Sequence, residues 1–147
     1  MASGRRTSQQ VQADRVKSAL DYVKKRLRLD LEFVVSAGAP GEQVGLLDIQ
    51  RSFRGTEDRK VWLVSFDESY VKGETLAALR RHAFHEVLHA LTWPLFDEAE
   101  AAIRRVPDSA VRRELMARSL DARENVVYEL ERKIGPLAFP HLPWTEP

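Results

Sequence analysis

Between Thr75 and Trp93 the chain reads as a helix that is apolar around most of its circumference and carries one narrow polar strip, made of His85, Glu86 and His89. Phe84, Val87, Leu88 and Leu91 occupy the remaining sides, a pattern that calls for burial of the helix. The strip is then buried with it. Desolvating two imidazoles and a carboxylate is strongly unfavourable unless a partner satisfies them. A fold for this chain must therefore wrap the helix in a core and bring something against the strip.

Residues 85 to 89 read His-Glu-Val-Leu-His, the H-E-x-x-H pattern. Four residues span about one turn, roughly 6 Å of rise, so both imidazoles leave one face and can converge on a single cation. Glu86 is rotated by about 100° from His85, which sets it beside the ion, where a base for a water molecule belongs. The chain has no cysteine, so a thiolate site is excluded and the remaining ligand must be His, Asp or Glu. The expected cofactor is one zinc ion per chain, with three protein ligands and an open position.

The third ligand is sought on the last helical stretch, whose apolar stripe is Met116, Leu120, Val127, Leu130 and Ile134. Glu124 borders that stripe in mid-helix and is the expected ligand. Glu131 also borders it and is the next candidate for the ligand, although a salt bridge with an arginine or exposure at the stripe edge is its expected role, while Glu129 points away. Asp121 and His141 remain alternatives. His82 lies seven residues before His89, about 10.5 Å along the axis, too far to share its ion. It reads as a pocket-rim or hydrogen-bonding residue. His141 falls in a Pro-rich tail and is expected to be exposed. Tyr70 and Tyr128 are candidates to donate a hydrogen bond to an oxyanion.

The surrounding pattern gives a coarse order of elements. Val16, Leu20, Val23 and Leu27 mark a helix from Gln9 to Arg28, with Lys17, Lys24, Lys25 and Arg26 on its solvated face. Three β-type segments follow, LEFVV, GLLDIQRSF and VWLVSF, and a turn over residues 54–60 makes the last two an antiparallel hairpin. Thr75 caps the H-E-x-x-H helix, Pro94 stops it, and another helical stretch begins near Asp97 and breaks at Pro107. Asp108 or Ser109 caps the final helix, which is expected to end at Gly135-Pro136. The expected class is α+β: an N-terminal helix, a three-stranded mainly antiparallel sheet, the active-site helix and C-terminal helices. Residues 1–8 are read as a flexible N-terminus, 9–136 as one domain, and 137–147 as an extended Pro-rich tail.

A chain of 147 residues supports one core. No apolar run approaches the ~20 residues of a membrane span, and the start lacks the apolar stretch of a secretory signal. With no cysteine, a cytoplasmic location is expected. Lys plus Arg is 23 against 22 for Asp plus Glu, a balance that argues against a dedicated nucleic-acid surface.

The motif and the order of elements resemble the zincin superfamily of metallopeptidases, and within it small gluzincin-like members in which a glutamate on a later helix completes the zinc site. The resemblance is sharp over residues 85–89 and architectural from Leu31 to Ile134. It implies a sheet whose edge strand binds extended substrate, VWLVSF by position, and Glu124 in the place of the late glutamate. A metzincin would have Gly and a third His where Thr92 and Leu95 stand here. The N-E-x-x-S-D element of thermolysin-type enzymes is missing, since residues 123–128 read Arg-Glu-Asn-Val-Val-Tyr, and no His between His89 and His141 supplies the third histidine of SprT-like proteins. The expected function is zinc-dependent hydrolysis of a peptide bond in a protein or peptide substrate, with Glu86 as general base. The alternative is a regulatory or structural metal-binding protein of the same fold with little general protease activity.

Overall fold

The computed structural model describes residues 4–38, 47–51 and 61–144. Thr7 opens α1, Ser8–Leu27, with a reciprocal cap: its hydroxyl accepts from the Gln10 N–H, and the Gln10 side chain accepts from the Thr7 N–H. Val16, Ala19, Leu20 and Val23 bury one face of this helix, and Arg28 ends it in the left-handed conformation at φ 55°.

Three strands follow, β1 (Glu32–Ala37), β2 (Leu47–Arg51) and β3 (Val61–Phe66), arranged in the order β1-β3-β2. Trp62, Val64 and Phe66 alternate into the core from β3. β1 lies parallel to β3 from Glu32↔Val61 to Ala37↔Phe66, and β2 lies antiparallel to it from Leu47↔Phe66 to Arg51↔Trp62. The turn expected over residues 54–60 lies outside the described residues.

The expected α+β, zincin-like class with a mainly antiparallel sheet is therefore corrected. Helices of 20, 6, 29 and 30 residues dominate strands of 6, 5 and 6, and the longer of the two ladders is parallel. The class is helix-rich. β3 sends Trp62, Val64 and Phe66 into the core, and a strand so buried takes the centre of the sheet, with β1 and β2 on its flanks. VWLVSF is consequently not an edge strand; among the described residues β1 and β2 are the edges.

A short helix that the pattern did not announce, α2 (Glu68–Gly73), follows β3 and is capped by Asp67. Arg15 of α1 fastens its C-terminal end, donating to the carbonyl oxygens of Val71, at 2.7 Å, and Glu74. Next comes α3, Leu76–Arg104, whose N-cap is Thr75, accepting from the Ala78 N–H at 3.1 Å. Pro94 does not stop this helix. Its missing N–H and ring clash cost about 3 kcal/mol in a helix interior, but Trp93 packs on the core, edge to face with Trp62, and Phe96 is buried. Side chains on both sides of the proline hold the axis.

The last helix, α4 (Ser109–Ala138), starts at the Asp108 cap and continues through Gly135-Pro136. Gly135 marks a close approach instead of an end: a Cβ there would lie 2.5 Å from the Trp144 ring. The following segment, residues 139–144, is packed rather than extended. Phe139 and Leu142 are buried, and the Trp144 indole N–H donates to the Phe139 carbonyl at 2.6 Å. Among the described residues no helix is long and apolar enough to cross a membrane.

Candidate metal centre

α3 and α4 share the most extensive helix–helix packing, and it brings the polar strip of α3 against acids of α4. Glu124 faces His85 and His89, whereas Glu131, about two turns further on, faces His85 and Arg81. The two helices are therefore antiparallel at the site.

The Nε2 atoms of His85 and His89 are 3.2 Å apart. Glu124 places one carboxylate oxygen 3.1 Å from His89 Nε2 and the other 3.7 Å from His85 Nε2. One ligand atom from each residue can be chosen so that all three lie within 4.8 Å of one another. Bonds of 2.0–2.2 Å to a tetrahedral zinc ion require ligand atoms about 3.3 Å apart, so this spacing fits the ion. His89 is buried, His85 half-buried, and the Glu124 side chain 48% exposed, which leaves the group open on one side.

The opposite nitrogen of His85 is occupied. Glu131, itself 8% exposed, sits with Oε2 2.7 Å from His85 Nδ1 and Oε1 3.4 Å from Arg81 Nε. With Nδ1 donating to Glu131, the lone pair of neutral His85 is on Nε2 and faces the other two ligand atoms. Burial by itself would lower the His85 pKa. The hydrogen bond to Glu131 and the charges of Glu86, Glu131 and Glu124 outweigh it, and the net shift is upward. The surroundings of His85 thus favour positive charge. Burial would raise Glu131, but His85 and Arg81 together bring it down, so it stays a carboxylate.

A cavity of about 600 Å³ reaches the group at His85 alone, and His82, Glu86, Tyr128, Glu131 and Pro143 also contribute to its lining. Glu86 is buried and borders this space. His82 stands exposed at the rim, and desolvation lowers its pKa despite the opposing charges of Glu74 and Glu131. Tyr128 lies with its ring centre 5.0 Å from that of His85. Tyr70 is 62% exposed on α2 and does not line the cavity. His141 is exposed and hydrogen-bonded to the Tyr22 hydroxyl, and neither it nor Asp121 joins the triad.

Sequence reasoning thus named His85, Glu86, His89 and Glu124; the fold brings His85, His89 and Glu124 together, and Glu86 is buried and borders the same cavity as His85. The same reasoning missed the part played by Arg81 and Pro143. A signal for Arg81 was present: it precedes His85 by four residues and so shares its face.

No family model matches the chain, and no curated protein or solved structure is significantly similar to it.

Proposed function

We propose that the chain is a zinc-dependent metallopeptidase. The observation that carries this reading is the convergence of two imidazole nitrogens and a carboxylate, at 3.1 to 3.7 Å, beside a buried glutamate that borders a cavity. His85, His89 and Glu124 would hold the ion; a nitrogen and oxygen donor set without thiolate, open on one side, suits catalytic zinc. Bound zinc supplies Lewis acidity and lowers the pKa of a water to about 7. Glu86 accepts the proton of the attacking water and delivers it to the leaving amine. Tyr128, at the cavity wall, is the better placed of the two tyrosines to donate to the oxyanion. Leu47, the first residue of edge strand β2, also lines the cavity, so an extended peptide paired along β2 reaches the site. The balanced charge supports a protein substrate over nucleic acid, and the absence of cysteine supports a cytoplasmic setting.

Glu86→Gln tests the reading, because the variant keeps the triad and removes the base. Zinc-loaded wild type is expected to cleave a peptide library, and the variant to hold the same zinc with at least a hundredfold less turnover, in keeping with general-base contributions of about 10²–10⁴-fold. Equal turnover by the two proteins would exclude Glu86 as the base. Zinc binding with no cleavage by wild type would assign the chain to metal binding without peptidase activity.

A further inference from the structure

We propose that the segment following α4, residues 139–144, is a working part of the metal centre: it seats Arg81, and Arg81 acts through Glu131 to fix the ring of His85. The inference rests on the reading of His85 as a metal ligand.

The segment is anchored independently of the site. Phe139 and Leu142 are buried, and Trp144 occupies the notch that Gly135 leaves open, edge to face with Phe84 at 5.8 Å. Arg81 meets this anchor twice. Its Nη1 donates to the Pro143 carbonyl at 2.8 Å, and its guanidinium lies 5.4 Å from the centre of the Trp144 ring. A third contact, from Nε to Glu131 Oε1, leaves Oε2 of the same carboxylate for His85 Nδ1.

A carboxylate held at both oxygens has a fixed plane, and that plane sets the direction of the His85 ring. Without the segment, Arg81 would keep only one long contact, at 3.4 Å, and a flexible side chain on a helix surface turns to water. Glu131 would then be free to rotate about a single hydrogen bond, and His85 Nε2 would lose its aim at His89 and Glu124. Arg81 is thus a positioning residue, one step removed from the ligand.

The test is zinc affinity, measured by competition with a chromophoric chelator on the full chain, together with the visible absorption of the cobalt(II)-loaded protein. Arg81→Met keeps the aliphatic stem and removes every donor, which protects folding. Trp144→Ala removes the ring that Arg81 faces and that fills the Gly135 notch, and leaves Phe139 and Leu142 in place. Each variant is expected to bind zinc about 10–100-fold more weakly than wild type, the usual effect of losing an outer partner of a ligand, and to shift the cobalt(II) bands. Arg81→Lys should recover part of the loss. Because both residues act along one chain of contacts, the double variant should be no weaker than the weaker single variant. Arg104→Ala is the control, since Arg104 stands exposed at the far end of α3 against Glu100, and it should leave affinity unchanged. Folded Arg81→Met that binds zinc within twofold of wild type, or losses that add in the double variant, overturn the inference alone. Wild-type protein that binds no zinc overturns this inference and the metal reading together.

Discussion

Glu124 and Glu131 lie on the same helix and both face His85, yet their chemistry differs because they meet different nitrogens of the ring. Glu124 faces Nε2 from the exposed side and can give its charge to a cation. Glu131 is spent on Nδ1 and Arg81. Glu124→Ala is accordingly expected to weaken zinc binding more than Glu131→Ala, as read by the same chelator competition, and the reverse order would exchange their roles. Glu131→Ala should in addition destabilise the fold by about 1 kcal/mol, because it strands the half-buried partners of the carboxylate. Gly135→Ala carries a different penalty. Its new methyl group would meet the Trp144 ring at 2.5 Å, so overpacking of about 1–3 kcal/mol should appear in urea unfolding.

Among the elements, Pro94 offers the clearest test, since it is exposed and sits within α3. Pro94→Ala restores an N–H to the helix ladder and should raise stability by about 1–3 kcal/mol; a loss would mean that the proline packs to advantage. The cap of α2 gives a pH dependence. Asp67 is lowered from its ordinary 3.8, first by the Ser69 side-chain hydrogen bond and then by the Tyr70 N–H. A depressed carboxylate contributes stability that is present above its unfolded value and is lost as pH falls through the lower folded value. Acid unfolding of wild type should therefore steepen below about 3.8, and Asp67→Asn, which caps without titrating, should lack that component. The starts of the long helices and the caps at Thr75 and Asp108 were legible because apolar spacing and capping chemistry are local. The strand neighbours were not. Alternation in VWLVSF marks which side chains point inward and carries no record of which strand lies alongside or in which direction. Pro94 and Gly135-Pro136 misled for a related reason: local breaking tendencies were outweighed by Trp93, Phe96 and Trp144, whose packing partners lie far away in sequence. At the site, the H-E-x-x-H spacing and the α4 periodicity sufficed to name the three side chains that the fold brings together. Arg81 was not legible in the same way, because its partner Pro143 lies 62 residues later.

Among the described residues one core draws on α1, the sheet, α2, α3, Val127 of α4 and the folded-back segment, and α4 also brings Glu124 and Glu131 against the polar strip of α3. An ion held between α3 and α4 joins elements that would separate on unfolding, so it should stabilise the protein as a whole. At a free zinc concentration of about 100 times Kd the gain should be about 2.7 kcal/mol, seen as a rise in Tm that His89→Ala does not show. The central claim concerns the ligands themselves, and zinc K-edge X-ray absorption of the zinc-loaded protein reads them directly. The expected spectrum contains two imidazole nitrogens at about 2.0–2.1 Å and carboxylate oxygen at about 2.0–2.2 Å. Protein that retains no zinc, or a spectrum with fewer than two imidazoles, would contradict the account.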